Sequence, residues 1–201
     1  MSTKRTAAVA AAGLTVGLLL GPVQSAVAGH LNEVVEADLD GRQEVATGAT
    51  TAKIVGDPNG LGEVYVFGID NLRESDGAGG FVTEANTDSL CYLLKVDNVS
   101  GTENNPGPPY AAHIHRGEPG SNGPVVVNLA FPTGGEAADC VTETRVGPAP
   151  GNAPVFVRDG AGNLLVTAQE ILANPEDFYV NVHNADHPSG AIRGQLDSHE
   201  H

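Results

Sequence analysis

Tryptophan is absent from this chain, methionine occurs once, and aromatic residues make up only 4% of its 201 residues. Bulky rings are therefore rationed, and a core must be built largely from valine, leucine, isoleucine and alanine. Basic residues are equally scarce: 10 Lys and Arg stand against 25 Asp and Glu, a formal charge of −15. Such a surface repels phosphate backbones and anionic lipid, which excludes nucleic acid and acidic membrane surfaces as partners. Beyond the first 20 residues no apolar run approaches the ~20 residues of a membrane helix, so no transmembrane segment is expected. Several chemical signatures are also missing. There is no G-x-S-x-G elbow, no Cys-x-x-Cys pair and no D-x-D-x-D-G loop, which removes the usual sequence grounds for a serine hydrolase, a thiol redox motif or an EF-hand.

The apolar run that does exist lies at the start. Lys4 and Arg5 precede the stretch from Ala7 to Leu20, and Ala26-Val27-Ala28 follows, the three parts of a secretory signal peptide. Cleavage after Ala28 leaves residues 29–201 as one exported domain with a formal charge of −17, since both bases go with the leader. Secretion in turn bears on Cys91 and Cys140. In an oxidising compartment two cysteines most simply form one disulfide, here closing a loop of about 50 residues.

The remaining sequence is rich in Gly, Pro, Asn and Asp, with apolar residues in short runs. Strands are expected over Val34 to Leu39, Thr51 to Val55, Glu63 to Ile69, Leu90 to Val96, Ala111 to His115, Val125 to Leu129, Val155 to Arg158, Phe178 to His183 and Ala191 to Leu196. One short helix is expected after Thr167, whose spacing from Glu170 is that of a capping box, with Leu165 and Ile171 packing across its start and Asn174-Pro175 ending it. The stretches Arg73 to Asp88 and Ser100 to Pro109 read as loops. Many short strands without βα alternation predict an all-β Greek-key sandwich or barrel.

Strand parity gives the histidines meaning. In "AAHIHRG" alternate residues face opposite sides, so His113 and His115 point one way and Ile114 the other, with Cβ atoms about 7 Å apart. In "FYVNVHN" the apolar face is Phe178, Val180 and Val182, leaving Tyr179, Asn181 and His183 opposite. Only seven residues join this segment to "AIRGQL", so an antiparallel hairpin would bring Arg193 to the surface that carries His183. Three readings fit: His113, His115 and His183 bind a metal, they brace the fold through hydrogen bonds, or they are ordinary polar residues on strand faces. His187 is a fourth candidate ligand in a turn. The terminal His30, His199 and His201 are weaker chelators, and Asn98-Val99-Ser100 has the glycosylation pattern.

The blocks "AAHIHRGEPGSNGPVVVNL" and "ILANPEDFYVNVHNADHPSGAIRGQL" resemble the two signatures of the CHRD domain, the module named in the chordin family, and "ADLDGRQEV" resembles its opening. The resemblance covers about residues 33 to 197. It implies an all-β extracellular domain without a defined reaction and a cysteine pair placed like Cys91 and Cys140; together with the lack of a complete catalytic constellation, it points to a module that binds a protein, glycan or small ligand. The site order is similar to copper-zinc superoxide dismutase, which has an H-x-H strand, a later V-H strand that supplies copper coordination, and an arginine near its C-terminus that attracts the anionic substrate. His113, His115, His183 and Arg193 follow that order. No histidine lies between His115 and His183, so the bridging ligand and the zinc cluster of that enzyme have no counterpart. The expectation is a binding module, with a three-histidine copper or zinc site as its chemical alternative and Arg193 as the group assisting oxidant chemistry there.

Overall fold

The computed structural model describes residues 34–70, 74–75, 81–82, 88–101, 111–145 and 154–198. The expected leader, the terminal histidines and the stretch 102–110 lie outside the described residues.

Short alternating segments become strands, each with its apolar set turned to one side. They are β1 (Val34–Asp40), β2 (Leu61–Asp70), β3 (Glu74–Ser75), β4 (Phe81–Val82), β5 (Asp88–Asp97), β6 (Ala111–Arg116), β7 (Val125–Leu129), β8 (Glu136–Thr142), β9 (Val155–Phe156), β10 (Phe178–His183), β11 (Ile192–Gln195) and β12 (Asp197–Ser198). Ten of them form one antiparallel sheet in the order β8-β5-β2-β1-β11-β10-β6-β7-β9, with β12 also pairing β1. Its two ends, β8 and β9, come into contact, so the sheet is nearly closed into a barrel. The all-β barrel expected from the sequence is therefore the fold.

The interior holds one continuous apolar cluster. Leu39, Val64, Leu94, Ile114, Val180 and Ile192 are buried in it, and the helix α1 (Ala168–Ala173) adds Ile171 and Leu172. Each fully buried aliphatic side chain of this kind contributes about 1.5–3 kcal/mol. The helix begins as its capping box dictates: the Thr167 side chain accepts a hydrogen bond from the Glu170 amide, and Asn174 caps the end before Pro175. Leu165, however, is exposed rather than packed in the core.

Three sequence expectations are corrected. Thr51 to Val55 is not a strand but part of a loop. Both edges of β1 are already taken, by β2 on one side and by β11 and β12 on the other, so no sheet edge is open to it there. The loop instead closes on itself and on the sheet, with Gly56 N donating to Gly41 O and Asp57 N to Ala191 O. Conversely, "EAADCVT" forms β8, a strand that its acidic and alanine-rich sequence did not announce. The stretch 73–88, read as loop, contains the small β3-β4 ribbon. Cys91 and Cys140 face each other across β5 and β8 and are joined as a disulfide, as expected.

Candidate metal centre

The strand pairing carries the site. β10 lies between β6 and β11, and its register sets His113 opposite Asn181, His115 opposite Tyr179, and Asn181 opposite Arg193. Alternation then places His113, His115, Tyr179, Asn181, His183 and Arg193 on the sheet face away from the apolar interior. A register shift between Ile114 and His115, where β6 meets β7, falls beside the second histidine, a common position for a bulge that aims a functional side chain.

That outer face is not solvent. His115, Asn181 and Arg193 are buried, and His113 and His183 are half-buried. Loops supply the cover. Asn122 Nδ2 donates to Val45 O, tying the loop after β6 to the loop after β1, and Glu44 from the latter reaches the sheet, where Asn181 Nδ2 donates to its carboxyl. A cleft of about 340 Å3 opens between residues 46–50 and 186–190 and is lined in part by Pro188, whose carbonyl accepts from the His183 ring. Two larger concavities, about 640 Å3 beside β1, β2 and β5 and about 760 Å3 beside residues 96–100 and 134–135, contain no histidine.

The three rings meet. His113 lies 5.1 Å from His183 and 5.5 Å from His115, centroid to centroid, and His115 lies 6.1 Å from His183. One ring nitrogen from each lies within 4.8 Å of the others. His115 Nδ1 is 2.9 Å from Gly123 O, and His183 Nδ1 is 3.1 Å from Pro188 O. A carbonyl only accepts, so both Nδ1 atoms carry the proton and both Nε2 atoms present lone pairs. Those two Nε2 atoms, together with His113 Nδ1, are buried without a hydrogen-bond partner. Burial pushes the His113 imidazole down to about 3, helped by His183 and His115. Burial likewise pushes His115 down to about 4 against the bond to Gly123. His183 is lowered by the same cause. All three rings are thus neutral at physiological pH, the form that binds metals.

Several neighbours of the site escaped the sequence reading. Tyr179 stacks on His115 with centroids 4.8 Å apart and planes 9° apart. Alternation had already set Tyr179 and Asn181 beside His183, so the signal was present. Glu44, 137 residues from Asn181, had none. Burial raises its carboxyl to about 7, against the opposing pull of Arg193 and the Asn181 hydrogen bond. Arg193 shares the face of His183 as expected, but it is only 2% exposed. His187 is not part of the cluster; its amide donates to Asn184 Oδ1.

No curated protein and no solved structure matches the chain. The family model of the CHRD domain matches residues 35–196. That span takes in the barrel from β1 to β11 together with all three histidines and Arg193, and on this match the chain belongs to the CHRD domain family.

Proposed function

We propose that this CHRD domain is an exported binding module whose ligand is a single copper or zinc ion, held by His113, His115 and His183. The observation that carries the reading is three clustered imidazoles, each with a buried unpartnered nitrogen and each offering a ring nitrogen within 4.8 Å of the others. Buried polar atoms are nearly always paired, and each orphan costs about 1–3 kcal/mol. Three orphans on three clustered rings make sense together if a cation joins them. Around an ion at about 2.0–2.1 Å, nitrogen ligands stand roughly 3.4–3.6 Å apart, so the 4.8 Å cluster needs a contraction of only about 1 Å, within reach of small ring rotations. Neutral imidazoles suit copper and zinc, and the small, polar surroundings offer no competing thiolate.

Three protein ligands leave a coordination position for water or a small ligand, and copper would add the one-electron chemistry that zinc lacks. The disulfide and the family fit an oxidising extracellular setting, in which both metals are accessible ligands for such a site. The test is metal analysis of the protein purified without a histidine tag, followed by titration with copper and zinc. One equivalent bound in the wild type, and at least a hundredfold weaker binding in His115→Ala and His183→Ala, is the expected result. Substoichiometric metal that is unaffected by these substitutions rejects it and leaves the bracing role, in which alanine lowers stability alone.

A further inference from the structure

Arg193 stands where the resemblance to superoxide dismutase puts an anion-attracting group, yet its surroundings assign it elsewhere. Its guanidinium carbon lies 3.4 Å from the centroid of the Tyr179 ring. Its Nη2 donates to Ser121 O at 2.8 Å and to Glu118 O at 3.3 Å, and its Nη1 donates to Asn122 Oδ1 at 3.4 Å. All these acceptors belong to the loop after β6. The same loop supplies Gly123, whose carbonyl takes the His115 Nδ1 proton and whose amide donates to the Tyr179 hydroxyl at 3.2 Å. Tyr179 in turn stacks on His115. The contacts close a ring: arginine to tyrosine to histidine to glycine carbonyl, and back through the loop to arginine.

We propose that Arg193 is a positioning residue for His115, acting from behind the metal centre through Tyr179 and the 117–124 loop. This rests on the metal reading given above. The guanidinium is suited to the task because one planar group both stacks on a ring and donates in several fixed directions, which an ammonium does not do. Its neighbour on β11, Gln195, works on the same loop from the other end, donating from Nε2 to Gly117 O. β11 thus holds the loop from Gly117 to Asn122, and the next residue, Gly123, fixes which nitrogen of His115 is free. If Gly123 O moves away, the His115 proton can occupy either nitrogen, and the Nε2 lone pair is no longer guaranteed to face His113 and His183.

The test uses the metal-free mature protein labelled with nitrogen-15, with the ring nitrogens of each histidine read by long-range proton–nitrogen correlation. In the wild type His115 and His183 should each show a single Nδ1–H tautomer. In Arg193→Lys, which keeps the charge and loses the fork, His115 should become a tautomer mixture while His183 is unchanged, and copper and zinc affinity should fall about tenfold or more. A folded Arg193→Lys protein with an unchanged His115 tautomer and affinity within twofold of wild type overturns the proposal. Should that variant fail to fold, Tyr179→Phe carries the same test, because it keeps the stacked ring and removes only the hydroxyl that holds Gly123. A wild type that takes up no metal but shows an Arg193-dependent tautomer overturns the metal reading and supports the clamp, so the two failures are distinguishable.

Discussion

At the scale of single residues, the buried titratable groups set the stability of the metal-free protein against pH. His113 and His115 are depressed in the folded state to about 3 and about 4 from an ordinary 6.5, and His183 is lowered too. Depressed bases contribute stability that is fully present above pH 6.5 and drains away as pH falls through the folded values, by up to about 1.4 kcal/mol per pH unit for each ring. Glu44 has the opposite sign. Its folded value is raised from 4.5 to about 7, so its contribution is fully present below pH 4.5 and is lost as pH rises through 7. Three rings outweigh one carboxyl between pH 4.5 and 6.5, and chemical denaturation should therefore show stability rising with pH there and flattening or dipping slightly just above. Glu44→Gln should remove the opposing slope and steepen the rise. A metal ion bound by the neutral rings should shift the whole acid transition to lower pH. Legibility at this scale was uneven. His113, His115, His183 and Arg193 were readable because alternation along a strand is strict, and the partners came from register. Glu44 was unreadable because a loop residue obeys no period.

At the scale of elements, the helix was legible to its cap because the signal is local. The Thr167 side chain accepts from the Glu170 amide, and Thr167→Ala should cost about 1 kcal/mol in a denaturant titration while leaving metal binding unchanged. β8 was not legible, since Glu136, Ala137, Ala138 and Asp139 have little intrinsic preference for a strand; pairing with β5 and the Cys91–Cys140 bridge accompany it instead. Charge on an edge strand also discourages unwanted pairing with other chains. The 51–55 segment failed in the other direction: it has strand-forming residues, but both edges of β1, the strand before it, are already paired. The loop after β6 has its own requirement. A Cβ on Gly123 would stand 1.6 Å from Arg116 O, so Gly123→Ala must displace the backbone that holds His115. Its expected phenotype is a loss of metal affinity larger than the loss of melting temperature, measured by titration and by thermal unfolding of the same preparation.

At the scale of the whole molecule, the disulfide ties β5 to β8 on the part of the sheet away from β6 and β10 in strand order. Closing a loop of about 50 residues is worth about 4 kcal/mol in the unfolded chain. Replacing Cys91 and Cys140 by alanine should lower the unfolding free energy by about that amount while the histidines keep their ring contacts, which nitrogen-15 spectra of the folded variant would show. The barrel class was legible in the number of short strands and their turns. Strand order was not, because which runs become neighbours depends on pairings far apart in sequence, such as β1 with β11 and β6 with β10. β10 illustrates what that order achieves: Phe178, Val180 and Val182 face the apolar interior, and Tyr179, Asn181 and His183 face the polar chamber under the loops. One strand is a party wall between two rooms with different tenants. Changes in the loops that roof the polar room can retune its chemistry without disturbing the dry side, so descendants of this chain are free to diverge in what they bind while keeping the same barrel.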